Sequence, residues 1–137
     1  MPKKKVSASK KSARPEHWKD EPDEHDFPAA ADYLTLVISE QIATALVNGL
    51  KGVEKVDRKA KDLLRASRLT LLPRANPHVA AELKKVSSGE RLSPVLLVRG
   101  QEKKGLPLLV ADGYHRLCAS YHLDENADIP CHVVELP

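Results

Sequence analysis

The sequence predicts an α+β domain, a small mixed sheet with packed helices, preceded by one or two N-terminal helices. Three observations carry this expectation. Apolar residues recur at steps of three and four from Leu34 to Leu50; two apolar runs of strand length follow, Pro94 to Arg99 and Leu106 to Ala111; and the second passes through an Asp-Gly turn into residues of helical spacing.

A chain of 137 residues suits one domain and a tail. Residues 1–26 hold seven Lys/Arg and six Asp/Glu, the cations first (Lys3, Lys4, Lys5, Lys10, Lys11, Arg14) and the acids after them. So little apolar surface cannot offset the entropy of ordering, so residues 1–26 are expected to form a disordered charged tail and residues 27–137 the domain. The tail reads as solubilising, with nucleic acid as a weak alternative partner of its basic block.

Order is expected from Phe27-Pro28, with Pro28 at a first helical position and Asp26 beside the positive helix end. Leu34, Val37, Ile38, Ile42, Ala45, Leu46 and Leu50 form one stripe of a long helix that Gly49 and Gly52 end. Glu54 to Arg68 reads as a second helix, with Val56, Ala60, Leu63 and Leu64 inward and an outer face rich in Lys and Arg that is expected to be solvated, a basic docking face being the alternative. Residues 27–68 are thus a helical extension, and residues 69–137 the core of the domain.

Leu69 to Leu72 is a short strand closed by Pro73, and Asn76-Pro77 a cap and first turn for a helix that buries Val79, Leu83 and Val86 and stops at Ser88-Gly89. PVLLVR and LPLLVA make a hairpin whose tip holds Lys103, Lys104 and Gly105. A helix from Tyr114 to about Leu123 and a last strand from Cys131 to Leu136 complete the domain.

With 42% hydrophobic but only 4% aromatic residues, the core must be mostly Leu, Val, Ile and Ala. Cys118 and Cys131 are too few for a disulfide framework or a zinc site and are expected as buried, reduced thiols. No apolar stretch follows the basic start as a secretory signal requires. The most apolar segment, Ala29 to Leu50, contains Asp32, Glu40, Gln41 and Asn48 and would not cross a bilayer, so a cytoplasmic protein with no membrane partner is expected.

The chemistry concentrates at Asp112, Gly113, Tyr114, His115 and Arg116. A strand, a glycine turn and a helix start bring free amides, a helix dipole and a cationic fork together, which outlines an anion site. Tyr114, Leu117, Cys118 and Tyr121 lie on one stripe, so Tyr114 also suits packing. His115 and Arg116 point elsewhere, and a cation near a helix start opposes the dipole unless an anion binds there. Asp112 either caps the helix or positions a metal-bound phosphate. Arg116 is a phosphate fork or a partner in an internal salt bridge, and His115 donates to a phosphate or to a carbonyl.

Gly113-Tyr114-His115-Arg116 resembles the G-C-H-R signature of sulfiredoxins; Gly113, Arg116 and Ala119 match the G, second R and A of the G-E-R-R-x-R-A box of ParB proteins; and Asp112 to Arg116 is similar to the D-G-x-H-R of free serine kinases. Asn76-Pro77 resembles the N-P of the ParB domain. The resemblance spans Leu69 to Glu135 and implies a ParB/sulfiredoxin-like fold in which Gly113, His115 and Arg116 grip the phosphates of a nucleotide, ATP or CTP, with Mg2+. The reactions carry over less readily. Tyr114 stands where sulfiredoxin has its nucleophilic cysteine, Cys118 lies a turn further on, and no acid between Arg68 and Pro77 supplies the kinase base. ParB proteins continue into a helix-turn-helix domain, and with Pro137 close behind the last strand partition-type DNA recognition in that full sense is not expected. The function expected is binding of a nucleotide or other phosphate ligand at this corner. A small-molecule kinase or nucleotide hydrolase of the same fold is one alternative. A DNA-associated or protein-docking module acting through the basic N-terminal residues is another.

Overall fold

The computed structural model describes residues 17–137. It contains five α-helices and a four-stranded mixed sheet, in the order α1 (Asp26–Val37), α2 (Glu40–Gly52), β1 (Val56–Lys59), α3 (Ala60–Ser67), α4 (Pro77–Ser87), β2 (Val95–Val98), β3 (Leu109–Asp112), α5 (Tyr114–Leu123) and β4 (Asp128–Val134). The α+β class and the small mixed sheet are as the sequence predicts.

The strands lie in the order β1-β4-β2-β3. β4 runs parallel to β2 and antiparallel to β1, and β2 and β3 form the expected antiparallel hairpin. Between Leu96 and Leu97 the register shifts, so Leu96 faces Asp112 while Leu97 faces Val110. The extra residue, Ala111, is a bulge that brings Asp112 to the strand end.

Both faces of the sheet are covered, which is why β2 is an unbroken apolar run instead of an alternating one. Val95 and Leu97 face a cluster containing Trp18, Leu63, Leu117, Ile129 and Cys131, whereas Leu96 and Val98 face Leu34, Leu46 and Leu50 from α1 and α2. Cys118 and Cys131 are free and buried, as expected. Among the described residues no helix is long and apolar enough to cross a membrane.

Four expectations need correction. The long helix expected from Phe27-Pro28 to the Gly49 and Gly52 end is two helices. The chain extends at Ile38, and Ser39 caps α2 by accepting the Ile42 amide at 3.3 Å. Leu34, Leu46 and Leu50 of the expected stripe are buried while Val37 and Ala45 are exposed, yet the three- and four-residue spacing in the sequence runs straight across the break, so periodicity alone cannot show it.

Glu54 to Arg68 is not one helix either. Its first half is β1, an edge strand with all four residues exposed, paired with β4. A solvated edge needs no apolar alternation, and the charges there resemble a helix surface.

Leu69 to Leu72 joins no strand. It runs along α5, where the Tyr114 hydroxyl donates to the Thr70 carbonyl and the His122 ring bonds the Leu72 carbonyl at 2.7 Å. Side chains of a helix therefore take the place that a neighbouring strand was expected to fill.

The boundary at Phe27 is placed too late. Residues 1–16 of the expected disordered tail lie outside the described residues, but residues 17–26 are built into the fold. Trp18 is buried in the core, and the chain around it pairs with Leu92 through Lys19 N–H to Leu92 O at 2.7 Å and Leu92 N–H to His17 O at 2.8 Å. One large apolar ring offsets the ordering cost that the surrounding charges cannot.

Candidate functional site

The site begins with a glycine in a left-handed conformation. Gly113 has φ 117°, and a Cβ there would stand 2.9 Å from a Val95 methyl and 3.0 Å from Nη2 of Arg116. No other residue permits both that backbone and that approach. The close neighbour is Arg116 itself, so the glycine makes room for a side chain of this chain.

Asp112 does not cap α5. Its carboxylate turns instead to Arg116, whose Nη2 donates to Oδ2 at 2.9 Å and to the Pro94 carbonyl at 3.2 Å. The two side chains are only 16% and 13% exposed, and Nε of Arg116 is buried without a partner. Of the two roles open to Arg116 in the sequence, the internal ion pair is the one it occupies. Burial pushes the Asp112 carboxyl above its ordinary value; Arg116 draws it back, and neighbouring Asp26 pushes it up further. Asp26 is itself 2% exposed and opens α1, so the first helix and the turn before α5 share one buried charge cluster.

With Asp112 turned away, α5 starts uncapped. The Leu117 amide reaches the Gly113 carbonyl at 2.9 Å, but among the described residues no acceptor meets the amides of Tyr114, His115 and Arg116. The helix next to it is finished differently. Asn76 Oδ1 accepts from the His78 and Val79 amides at 2.9 and 3.1 Å, and Pro77 has no amide to satisfy, so α4 offers no comparable row of donors.

His78 and His115 each stand second in their helix, and their ring centroids lie 4.8 Å apart at a 42° tilt. The Tyr114 ring flanks His115 at 5.5 Å. Burial, then the nearby His78, then Arg116 push the His115 pKa below its ordinary value, with Glu82 pulling the other way. At neutral pH His115 is therefore a neutral donor and acceptor. Sequence reasoning found His115 but missed His78, although Asn-Pro-His and Gly-Tyr-His place a histidine at the same step of two successive helices.

Tyr114 works as the expected packing residue and also ties down the 69–73 segment; burial raises its pKa. Burial likewise raises the Cys118 thiol, so no thiolate stands in for a missing nucleophile. The magnesium that the family resemblance implies is poorly matched: Asp112 is bound to Arg116, and Glu82 faces Lys85 at 3.5 Å. Asp23, His25 and Asp26 do place ligand atoms within 4.8 Å of one another, but these groups already bond internally, Asp26 accepting the Asp23 amide and Asp23 the Lys19 ammonium.

Comparison with protein-family models, with curated proteins and with solved structures finds no match.

Proposed function

We propose that this protein is a ligand-binding domain that takes a phosphate-bearing small molecule, a nucleotide such as ATP or CTP in the first instance, at the start of α5. The observation that carries this reading is the row of three unaccepted amides at Tyr114, His115 and Arg116, facing an end that carries the His115 and His78 imidazoles. A helix start with unused donors favours an anion by charge and by hydrogen bonding together. His115 and His78 add ring nitrogens that can donate to phosphate oxygens beside those amides. Gly113 and the Asp112–Arg116 pair hold the turn in shape, and the guanidinium acts through that shape.

The test is thermal shift with ATP, CTP, GTP, ADP and inorganic phosphate, beside adenosine and cytidine. The phosphate-bearing ligands are expected to raise the melting temperature and the free nucleosides to leave it unchanged. His78→Ala with His115→Ala should remove the shift, each measured against the melting temperature of the same variant without ligand. Flat curves for every phosphate compound would reject the proposal.

A further inference from the structure

A second feature lies away from the start of α5. The described residues carry sixteen Lys/Arg against eighteen Asp/Glu, yet residues 51–68 alone hold seven Lys/Arg and three Asp/Glu. Four of these seven cations, Lys59, Lys61, Arg65 and Arg68, line an open groove of about 780 Å³, with Leu69 and the half-buried ring of Tyr121 also on its wall. The acid on the groove, Asp62, is taken up by Arg65 at 3.1 Å. Lys59 pairs with Asp128 at 3.5 Å, while Lys61 and Arg68 have no acidic partner among the described residues.

Arg68 occupies a costly position. It ends α3 with φ 60°, the left-handed conformation that a helix terminus normally gives to glycine, and it is the one non-glycine residue among those described with positive φ. Backbone fit alone would favour a glycine there, and the arginine instead adds charge to the groove.

We propose that this groove binds a single-stranded nucleic acid through its phosphodiester backbone. Four cations line the groove, two of them, Lys61 and Arg68, with no acidic partner among the described residues, and together they suit a chain of repeated negative charges. The Tyr121 ring and Leu69 offer an apolar surface on which an unstacked base gains contact, and this favours a single strand over a duplex whose bases are already stacked. An acidic peptide would use the charges but gain nothing from the ring.

Fluorescence anisotropy on the full chain tests this, with a labelled 20-mer single strand, its duplex and a glutamate 20-mer as the probes, across a salt series. The single strand is expected to bind best. The double variant Lys61→Ala/Arg68→Gly should weaken it and make the slope of log affinity against log salt shallower by about 1.4, at about 0.7 per lost phosphate contact. Subtracting variant from parent removes any contribution of the basic N-terminal residues. Arg68→Gly alone should melt no lower than the parent, since it relieves the backbone, so its loss of binding is not a loss of folding. The proposal is overturned by no binding at low salt, by equal binding of parent and variant, or by tighter binding of the duplex or of the glutamate peptide.

Discussion

Arg116 and Asp112 face each other at 2.9 Å, one helical turn apart, with the backbone of Gly113 between them. Neither is free to serve solely as a ligand group, and the shape of the turn depends on both. Removing the cation leaves the Asp112 and Asp26 carboxyl groups together without their counter-charge, whereas Asp112→Asn relieves that repulsion and keeps a side-chain oxygen that still accepts from Arg116. Arg116→Ala is therefore expected to cost about 3 kcal/mol in urea unfolding and Asp112→Asn clearly less. Equal costs would contradict the asymmetry.

Gly113→Ala should be more disruptive than its single added methyl. The left-handed backbone costs about 1 kcal/mol for alanine, and crowding against Val95 and Arg116 adds about as much again. Denaturation of the variant, compared with Gly89→Ala where no atom lies within 4 Å of the added carbon, separates the two contributions.

His115 sets a pH dependence. Its folded pKa lies below the ordinary 6.5, so the stability it contributes is fully present above 6.5 and is lost as pH falls through the folded value. NMR titration should place the His115 midpoint under 6.5, and His115→Gln should flatten the acid side of the stability curve. Saturating phosphate ligand should move the midpoint upward; a downward move would contradict the proposed mode of binding.

Trp18→Ala is expected to destabilise the protein by about 3 kcal/mol, because the ring is buried in the core at 8% exposure. A change under about 0.5 kcal/mol, typical of a surface position, would mean that the segment is not part of the fold.

Burial raises the Cys131 thiol to about 12, so this residue should resist alkylation in the native protein at pH 8 and react only as the chain unfolds. Mass spectrometry over a urea series follows this directly. Modification in the absence of urea would contradict the buried setting.

Segments in which local chemistry and tertiary setting agree could be read from the sequence. Asn76-Pro77 started α4 where expected, Gly113 preceded α5, and Tyr114 to Leu123 was helical throughout. Segments whose structure depends on distant partners could not. Val56 to Lys59 is a strand because β4 passes beside it, and Leu69 to Leu72 lies along α5, where Tyr114 and His122 hold the Thr70 and Leu72 carbonyls. At the site, the run from Asp112 to Arg116 identified the right turn but left the internal pairing open, since the carboxylate neighbour Asp26 comes from the far end of the domain. His78 could be found only by comparing two helix starts, and Trp18 only by giving one ring more weight than the charges around it.

The place of β4 in the sheet bears on how the protein is made. Residues 128–134 slot between β1 and β2, so on a ribosome the edge at Val56 has no neighbour until almost the whole described chain has been translated. Helices can form as they emerge, but the sheet closes late and all at once, and a nascent chain stalled before Asp128 would expose the inner edge of its hairpin to chaperones or to other chains.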